Sequence, residues 1–391
     1  MFSIFLFGMV FFIYEIIEQV SYFKRVKSIP IRIHVNGTRG KSTVTRLIAA
    51  GLREAGLRVL AKTTGTLPRL ILEDGTEVSI KRKGRANIKE QLKIFSEAVK
   101  RKAEAVVIEC MAVNPELQWV SEHRMIRSTI GAITNVREDH IDAVGPDPID
   151  MAEALKLTIP ENGVLVTSEK RHFQIFKEQS NKLKTKIIYA NSDSISNEII
   201  KKFSYMEFKE NLSIALRICK LLGVNQTVAL TGMLKAKPDP GVLRIYKLLK
   251  DGKNIYFINA FAANDASSAL LIWDRIKKME DINKLPIIGI INNREDRPFR
   301  AVRFGHILAR KIIASKILLV GPLSKLTERA LLKLKVQPKS IIDLGREKDV
   351  EKVLQIALKF TDSRAILMGF GNTKGMGQRF IEYFSNFGEI M

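Results

Sequence analysis

The chain has 391 residues, of which 46% are apolar, and a formal net charge of +23. Its length exceeds one typical domain and predicts two, and its apolar content excludes a disordered chain. Cys110 and Cys219 are its only cysteines, which excludes a disulfide framework and a CxxC metal site and fits a reducing compartment. The charge is compatible with nucleic acid, an anionic membrane surface or an anionic substrate, but no zinc-finger spacing or RNP-type motif supports nucleic acid.

The first 14 residues are almost wholly apolar and are followed by Glu15. As a helix, residues 1–17 would reach about 25 Å, slightly short of the ~30 Å hydrocarbon core of a membrane. Lys and Arg follow this run but do not precede it, so the positive-inside rule places the rest of the chain in the cytoplasm. We therefore expect a single-pass anchor in the cell membrane at residues 1–20. A hydrophobic helix buried in the protein is the alternative.

The stretch from residue 31 to residue 56 predicts a strand, a glycine-bearing turn and a helix. Glycines let backbone N–H groups close around phosphate oxygens, and the helix N-terminus adds partial positive charge. Lys41 would reach the terminal phosphates, and the Ser42 hydroxyl would hold Mg²⁺. A glycine turn with a chance Lys-Ser pair is the alternative, because the turn is shorter than the common P-loop. The predicted phosphate-binding residues are Asn36, Gly37, Thr38, Arg39, Gly40, Lys41, Ser42 and Thr43.

Two strand ends that follow carry polar residues suited to metal or phosphate. The apolar run 105–109 predicts a central parallel strand that brings Glu109 to the ligand-binding edge of a sheet, where it either holds Mg²⁺ or forms a salt bridge. A strand at 130–136 leads to an acid-rich turn in which His140 would coordinate a second metal or contact phosphates. Cys110 has no clear His partner, which favours a buried thiol over a nucleophile.

Strands and helices alternate along the rest of the chain. Helices are predicted at 87–102, at 149–157 with Lys156, and at 207–223, where Asn211 would cap the helix or contact a nucleobase. The Pro-Asp-Pro-Gly stretch at 238–241 marks a domain boundary. Beyond it, alternating strands and helices predict a second, smaller α/β domain. Its predicted strands are 254–259, 286–291, 316–320, 341–344 and 365–370.

Long motifs in the chain resemble those of the Mur ligase superfamily, which share a GTxGK[ST] loop, an acidic strand end and a TN(I/V)xxDH(L/I)D signature. The resemblance is closer to the ligase subunits of poly-γ-glutamate synthases. It rests on NGTRGKSTVTRL (36–47), KTTGT (62–66), ECMAVNPE (109–116), REDHIDAVGP (137–146), PDPG (238–241) and NAFAANDASS (259–268). It implies an α/β fold with a P-loop central domain at 21–240 and a smaller Rossmann-like C-terminal ligase domain at 241–391, preceded by one transmembrane helix.

In Mur ligases ATP phosphorylates a carboxylate to an acyl phosphate, which an amine then attacks. The resemblance therefore implies an ATP- and Mg²⁺-dependent amide ligase that polymerises glutamate into poly-γ-glutamate. The implied partners are glutamate, the growing polymer, the membrane and other integral-membrane subunits of a synthase and export complex, with no nucleic acid. Two other functions compete: a folylpolyglutamate synthase-like ligase, which would lack the apolar N-terminal run, and a P-loop ATPase acting on nucleic acid, suggested by the charge.

The resemblance also implies roles for individual residues. Lys41 would stabilise the γ-phosphoryl group, and Asn135 and Asn211 would line the nucleotide pocket. Lys156 lies at about the distance from the signature at which the family carries a carbamoylated lysine, with an exposed helix lysine as the alternative. Asp296 and Arg297 resemble the family's basic loop facing the transferred phosphate. The implied metal ligands are Ser42 and Glu109 for a first Mg²⁺ and His140 for a second.

Overall fold

Two separate sheets, each with its own helices, make up the computed structural model of the chain. Unit 1 comprises Met1–Phe203 and Glu207–Asp239, and unit 2 comprises Ser204–Met206 and Pro240–Met391. The structure describes residues 2–65, 68–82, 84, 86–137, 141–145, 147–239, 243–261, 263, 266–279, 282, 284–295 and 298–391. The predicted α/β architecture with two sheets is confirmed.

Unit 1 is built on an eight-stranded sheet with the order β4-β3-β2-β5-β1-β6-β7-β8. Its strands are β1 Ile31–Asn36, β2 Val59–Thr63, β3 Arg69–Ile71, β4 Glu77–Ser79, β5 Ala105–Glu109, β6 Ile130–Ile133, β7 Val164–Thr167 and β8 Lys186–Tyr189. All neighbours from β2 to β8 in this order are parallel, and β3 and β4 add an antiparallel edge. Parallel pairing brings the carboxyl ends of β1, β2, β5 and β6 to one edge, where Val35 stands opposite Glu109.

Helices cover both faces of this sheet, as βα connections between parallel strands require. They are α1 Phe2–Lys27, α2 Lys41–Glu54, α3 Glu90–Lys100, α4 Pro115–Trp119, α5 Ile141–Val144, α6 Pro148–Leu155, α7 Phe173–Lys182, α8 Asn197–Lys201, α9 Lys209–Leu221 and α10 Gln226–Lys235. A π-helical turn, Val120–Ile126, and short 3-10 turns at Lys156–Thr158 and Ser192–Ser194 complete the unit. The residues of α2 from Val44 to Leu52 are all buried, so the body of this helix is fixed in the core.

The prediction of an N-terminal transmembrane helix is wrong. Within the described ranges, no helix has both the length and the apolar character needed to cross a membrane. The apolar run before Glu15 has only 14 residues, whereas a span needs about 20. The last third of α1 instead joins a core cluster of unit 1 through Tyr22 and Val26, and the Tyr22 hydroxyl donates to Met125 O at 2.8 Å.

Unit 2 is built on a seven-stranded sheet with the order β13-β12-β11-β14-β10-β9-β15. Its strands are β9 Ile245–Lys250, β10 Lys253–Asn259, β11 Ile287–Asn292, β12 Lys316–Val320, β13 Ile341–Asp343, β14 Arg364–Gly371 and β15 Glu389–Ile390. Its helices are α11 Ala266–Ile276, α12 Pro298–Ile307, α13 Ser324–Lys333, α14 Val350–Leu358 and α15 Met376–Phe387, with a π-helical turn at Leu308–Ile312 and a 3-10 turn at Pro338–Ser340. Five strands are parallel to one another, and β9 pairs antiparallel with β10 on one side and with β15 on the other. Each face of the sheet has its own apolar core, one of them centred on Phe257 and Phe384, whose rings stack 4.2 Å apart.

Candidate active site

The turn between β1 and α2 adopts a backbone conformation that requires glycine at two positions. Gly37 has φ +128° and Gly40 has φ +81°, both in the region that residues with a Cβ rarely adopt. A Cβ on Gly37 would overlap the Thr134 hydroxyl, and a Cβ on Gly40 would overlap the Asn211 side-chain oxygen. The predicted phosphate loop is therefore packed closely on both sides.

The end of the neighbouring strand β6 holds this loop in place. Thr38 N donates to Asn135 O at 3.0 Å, and Arg39 N donates to Asn135 Oδ1 at 3.1 Å. In return, Asn135 Nδ2 and the Thr134 hydroxyl both donate to Arg39 O, at 2.9 and 2.6 Å. Asn135, which was predicted to line the nucleotide pocket, fixes the loop backbone through its side-chain amide.

Lys41 and the start of α2 fit a phosphate group. No described side chain caps this helix, so its first N–H groups, which have no partner within a helix, remain available to an anion. Lys41 Nζ donates to Gly37 O at 2.6 Å and to Thr38 O at 3.3 Å. The ammonium group thus lies over the loop, at the place where phosphate oxygens would replace these carbonyl contacts.

Glu109 is brought next to Ser42, as expected from their positions at the sheet edge. The Glu109 side chain is 3% exposed, and its Oε2 accepts from the Ser42 hydroxyl at 2.8 Å and from Thr64 N at 2.6 Å. A carboxylate beside a hydroxyl supplies the oxygen ligands that Mg²⁺ and Ca²⁺ prefer. Thr64 was not among the predicted site residues, although it belongs to the KTTGT motif that the sequence displays.

A polar cluster beneath the loop holds Asn36. Asn36 Nδ2 donates to Gln118 Oε1 at 2.8 Å and to the Thr158 hydroxyl at 3.1 Å, and Asn36 Oδ1 accepts from Gly37 N at 2.8 Å. All three side chains are buried. Asn36 was predicted to bind ATP, and in the structure its amide oxygen fixes the first glycine of the loop. No sequence signal points to Gln118 or Thr158, which lie 82 and 122 residues away along the chain.

The remaining predicted residues have varied surroundings. Asn211 lies at the start of α9, buried against Gly40, and its Nδ2 donates to Glu207 Oε1 at 2.9 Å. Thr43 is half-buried in the first turn of α2. Lys156 is half-buried and forms an ion pair with Glu153, and no contact among the described residues joins it to the phosphate loop. His140, Asp296 and Arg297 lie outside the described residues.

A buried lysine beside the site was missed in the sequence. Lys62, near the end of β2, is fully buried, and its Nζ lies 3.3 Å from Glu90 Oε2 and 3.2 Å from Met111 Sδ. Burial lowers the pKa of Lys62, while Glu90 and, less strongly, Glu109 act in the opposite direction. Lysine is rarely buried without a partner, and here the ion pair with Glu90 offsets the cost of burying the ammonium group.

A second ion pair, fully buried, joins β1 to the π-helical turn at Val120–Ile126. His34 Nδ1 is 2.8 Å from Glu122 Oε2, and both side chains are within 1% of full burial. Burial alone would lower the pKa of His34, but interactions with Cys110 and Glu122 raise it to about 9. Cys110 is buried, as predicted, and His34 is the histidine neighbour that the sequence did not reveal.

The described residues contain no group of three or more His, Cys, Asp or Glu side chains that could hold a metal by themselves. Ser42 and Glu109 therefore supply part of a cation site at most. Mg²⁺ commonly binds in this way, through one or two protein oxygens, several waters and the phosphates of a nucleotide. The residues present fit such a shared site.

Comparison with known proteins places this geometry in a family. Residues 35–236 match the Mur ligase middle domain, and residues 245–387 match the poly-gamma-glutamate synthase CapB C-terminal domain. The chain belongs to the Mur ligase family. PGA synthase CapB of Bacillus subtilis (strain 168) is 40% identical over 369 residues, covering 94% of this chain and 93% of that protein. Capsule biosynthesis protein CapB of Bacillus anthracis is 43% identical over 311 residues, covering 79% and 67%.

Solved structures share the fold of this Mur ligase family member at low sequence identity. Escherichia coli FolC, in complex with DHPP and ADP, has a TM-score of 0.68 at 13% identity, covering 94% of this chain and 93% of that chain. Folylpolyglutamate synthase/dihydrofolate synthase from Yersinia pestis, complexed with AMPPNP and Mn ion, has a TM-score of 0.69 at 14% identity, covering 94% and 92%. As a member of the Mur ligase family with these relatives, the chain is an ATP-dependent amide-bond ligase.

Proposed function

We propose that this ligase polymerises glutamate into poly-γ-glutamate, with ATP as the phosphoryl donor and Mg²⁺ as the metal ion. The proposal rests mainly on one observation, that Lys41, Ser42 and Glu109 lie together around one glycine-bearing turn. Support for the substrate comes from the 40% identical relative named PGA synthase and from the neighbouring folylpolyglutamate synthase structure with Mn, AMPPNP and L-glutamate bound.

The proposed reaction has two balanced steps. A γ-carboxylate oxygen of the growing chain attacks the γ-phosphorus of ATP, the bond from that phosphorus to the β,γ-bridging oxygen breaks, and ADP leaves. The amino nitrogen of the next glutamate then attacks the carbonyl carbon of the acyl phosphate. A C–N bond forms, the C–O bond to phosphate breaks, and the amine loses its proton as inorganic phosphate departs.

The residues of the loop stabilise the negative charge of the phosphate groups in the first step. Lys41 leaves its contacts with Gly37 O and Thr38 O and pairs with the γ-phosphoryl oxygens, where charge accumulates. Ser42 and Glu109 would hold the Mg²⁺, which would supply positive charge to offset that of the phosphates. Glycines 37 and 40 keep the backbone close enough for its N–H groups to donate.

Several predictions from the family resemblance remain part of the proposal. They assign a second metal to His140, adenine contact to Asn211, carbamoylation to Lys156 and phosphate contact to Asp296 and Arg297. Residues 21–240 would bind the nucleotide, and residues 241–391 would form the ligase domain. We also propose that the reaction takes place in the cytoplasm, where ATP is present, and that integral-membrane proteins which export the polymer are partners.

The test is a substitution of the loop lysine. Lys41→Ala is expected to lower glutamate-dependent ADP release at least 100-fold, because a charge that acts on the transferred phosphoryl group is lost. The assay supplies ATP, Mg²⁺ and each amino acid separately to the purified protein, and identifies the nucleotide product and the polymer. Lys220→Ala, at an exposed lysine of α9, is the matched control and should retain full activity.

Three results would contradict this function. Wild-type turnover in Lys41→Ala would show that the loop lysine does not act on the transferred phosphoryl group, which removes the mechanism. Glutamate addition that requires a folate acceptor would support the folylpolyglutamate synthase alternative. ATP hydrolysis stimulated by DNA, with a steep dependence on salt, would support an ATPase that acts on nucleic acid.

A further inference from the structure

A strongly basic surface lies on unit 1 between β4 and the middle of α3. It is formed by Lys81, Arg82, Lys89 and Lys93, and we call these four residues the basic patch. Lys81, Lys89 and Lys93 are exposed, and Arg82 is half-buried. Glu90 is the single acidic residue between positions 81 and 96 of the sequence. The patch is therefore a local excess of positive charge, beyond the general basic character of the chain.

Glu90 pairs with Arg82 and leaves the charges of the three lysines uncompensated. Both of its oxygens are taken by Arg82, at 2.7 and 3.1 Å, and Oε2 also lies 3.3 Å from the buried ammonium of Lys62. In the ranges that the structure describes, none of the three exposed lysines of the patch forms an ion pair. The opposite end of α3 differs, since Arg101 there pairs with Glu97 at 2.5 Å and with Glu73 at 3.0 Å.

The arrangement of the lysines works against local stability. Lys89 and Lys93 are four residues apart, so they lie on the same face of α3 and repel each other, while the acids one turn from Lys93, Glu90 and Glu97, are paired with Arg82 and Arg101. Lys89 also occupies the N-cap position of α3, where the helix dipole disfavours a cation. Charges kept in an unfavourable arrangement at the surface point to an anionic partner that compensates for them.

The patch is tied to the active-site edge of the sheet. Glu90 links Arg82 to Lys62, and Lys62 is the next-to-last residue of β2. Two residues further on, Thr64 N donates to Glu109 at 2.6 Å. Lys62 and Glu109 also interact electrostatically. A short chain of contacts therefore connects the patch with the carboxylate that stands beside the phosphate loop.

We propose that the basic patch binds the free α-carboxylates of the growing poly-γ-glutamate chain and retains the polymer between successive additions. This inference rests on the proposed function. Each γ-linked residue leaves one α-carboxylate unpaired, so the product is a regular polyanion that matches a row of exposed ammonium groups. Lysine is suited to this because its ammonium is a compact, hydrated charge that binds without fixed geometry and lets the chain advance. A retained end is also presented to the site at a high effective concentration.

The test removes two charges from the patch and two from a matched control surface. The patch variant is Lys89→Gln/Lys93→Gln, and the control is Lys177→Gln/Lys182→Gln on α7. All four lysines are exposed helix or helix-flanking residues, and the control helix follows β7 and precedes the far edge strand β8. Strands β2 and β8 are five positions apart in the sheet, which is roughly 24 Å. Thermal unfolding verifies that both variants are folded.

Two quantities are measured at matched salt. The affinity for fluorescently labelled poly-γ-glutamate is expected to fall about tenfold in the patch variant and to stay near wild type in the control. Product length, measured by gel electrophoresis, is expected to shorten several-fold in the patch variant alone. The KM for ATP should be unchanged in both, because neither pair touches the phosphate loop.

Wild-type affinity and product length in the patch variant would overturn the proposal, as would an equal loss in the control variant. Competition by duplex DNA as effective as that by poly-γ-glutamate would also overturn it, in favour of a nucleic-acid surface. Failure of the proposed function would look different. The wild-type protein would then release no ADP in response to glutamate, while the direct binding measurement would still decide whether the patch holds the polymer.

Discussion

Two glycines of unit 1 have nearly the same φ but different surroundings. Gly40 has φ +81° and faces the Asn211 side chain, whereas Gly56 has φ +89° and, apart from its chain neighbours, no heavy atom within 4 Å of the position of a Cβ. Gly56→Ala is therefore expected to cost only backbone strain, about 1–2 kcal/mol of unfolding free energy, with activity retained. Gly40→Ala adds an overlap in the phosphate loop and should also lower glutamate-dependent ADP release at least tenfold. Urea unfolding and the ADP assay measure the two effects.

Asn211 allows the overlap at Gly40 to be separated from strain. The double variant Gly40→Ala/Asn211→Ala lacks the overlapping oxygen. Gly40→Ala should therefore cost less unfolding free energy in the Asn211→Ala background than in the wild type. Strict additivity of the two substitutions would show that the contact between Gly40 and Asn211 does not constrain the loop.

The buried pair of His34 and Glu122 predicts a dependence of stability on pH. The folded pKa of His34 is about 9, above the ordinary value of 6.5 that applies to the unfolded chain. Protonated His34 therefore stabilises the fold fully below pH 6.5, and this contribution is lost as the pH rises through about 9. The loss is on the order of 3 kcal/mol. Urea unfolding at pH 6, 7, 8 and 9 measures it.

His34→Gln provides the control for this pH dependence. The substitution removes the titrating imidazole, so the variant should be less stable than wild type at pH 6 and should lose much less stability between pH 6 and pH 9. Cys110 and Glu122 are the titratable groups that interact with His34. A decline of the same size in the variant would assign the effect to other groups.

At the scale of elements, α1 has two parts with different roles. Every side chain from residue 11 to residue 19 is exposed, while Tyr22 and Val26 are buried in unit 1. Removal of residues 1–18 is therefore expected to change the unfolding free energy of unit 1 by less than about 0.5 kcal/mol. Val26→Ala should cost about 2 kcal/mol, because two buried methyl groups are lost. Denaturant unfolding of both variants checks this difference.

The opposite result would be equally informative. If the truncation destabilised unit 1 as much as Val26→Ala does, the exposed part of α1 would contribute to the fold, in conflict with its burial pattern. Phe23, which is half-buried, offers a further comparison, because the Arg127 guanidinium lies 5.3 Å from its ring. Phe23→Leu should fall between the other two variants.

Strands differed in how well the sequence predicted them. Central parallel strands are buried on both faces and therefore read as continuous apolar runs, so β5 and β12 were predicted at their observed bounds. The three-residue strands β3 and β4 were not predicted, because three residues are too few to show a period. The helix predicted at 87–102 spans Glu90–Lys100, a normal uncertainty at helix ends.

For the whole molecule, local sequence patterns predicted the α/β architecture and the contact between Ser42 and Glu109. The phosphate-binding turn and the acidic strand end each consist of consecutive residues, so both can be recognised in the sequence. The supporting contacts cannot be recognised in this way. Residues distant in sequence hold Glu109, Asn36 and Lys62, which contact Thr64, Gln118 and Glu90 respectively. Such contacts depend on strand order, which no spacing along a single chain reveals.

Unit 2 includes three residues, Ser204–Met206, that come from the middle of the sequence of unit 1. Met206 N donates to Leu243 O at 3.2 Å, and its side chain packs against the core of unit 2. Recombination between related genes at a single crossover after Asp239 would therefore separate this short insert from the module it completes. Chimeric enzymes built from two such ligases should be spliced with 204–206 taken from the same parent as the carboxy-terminal module.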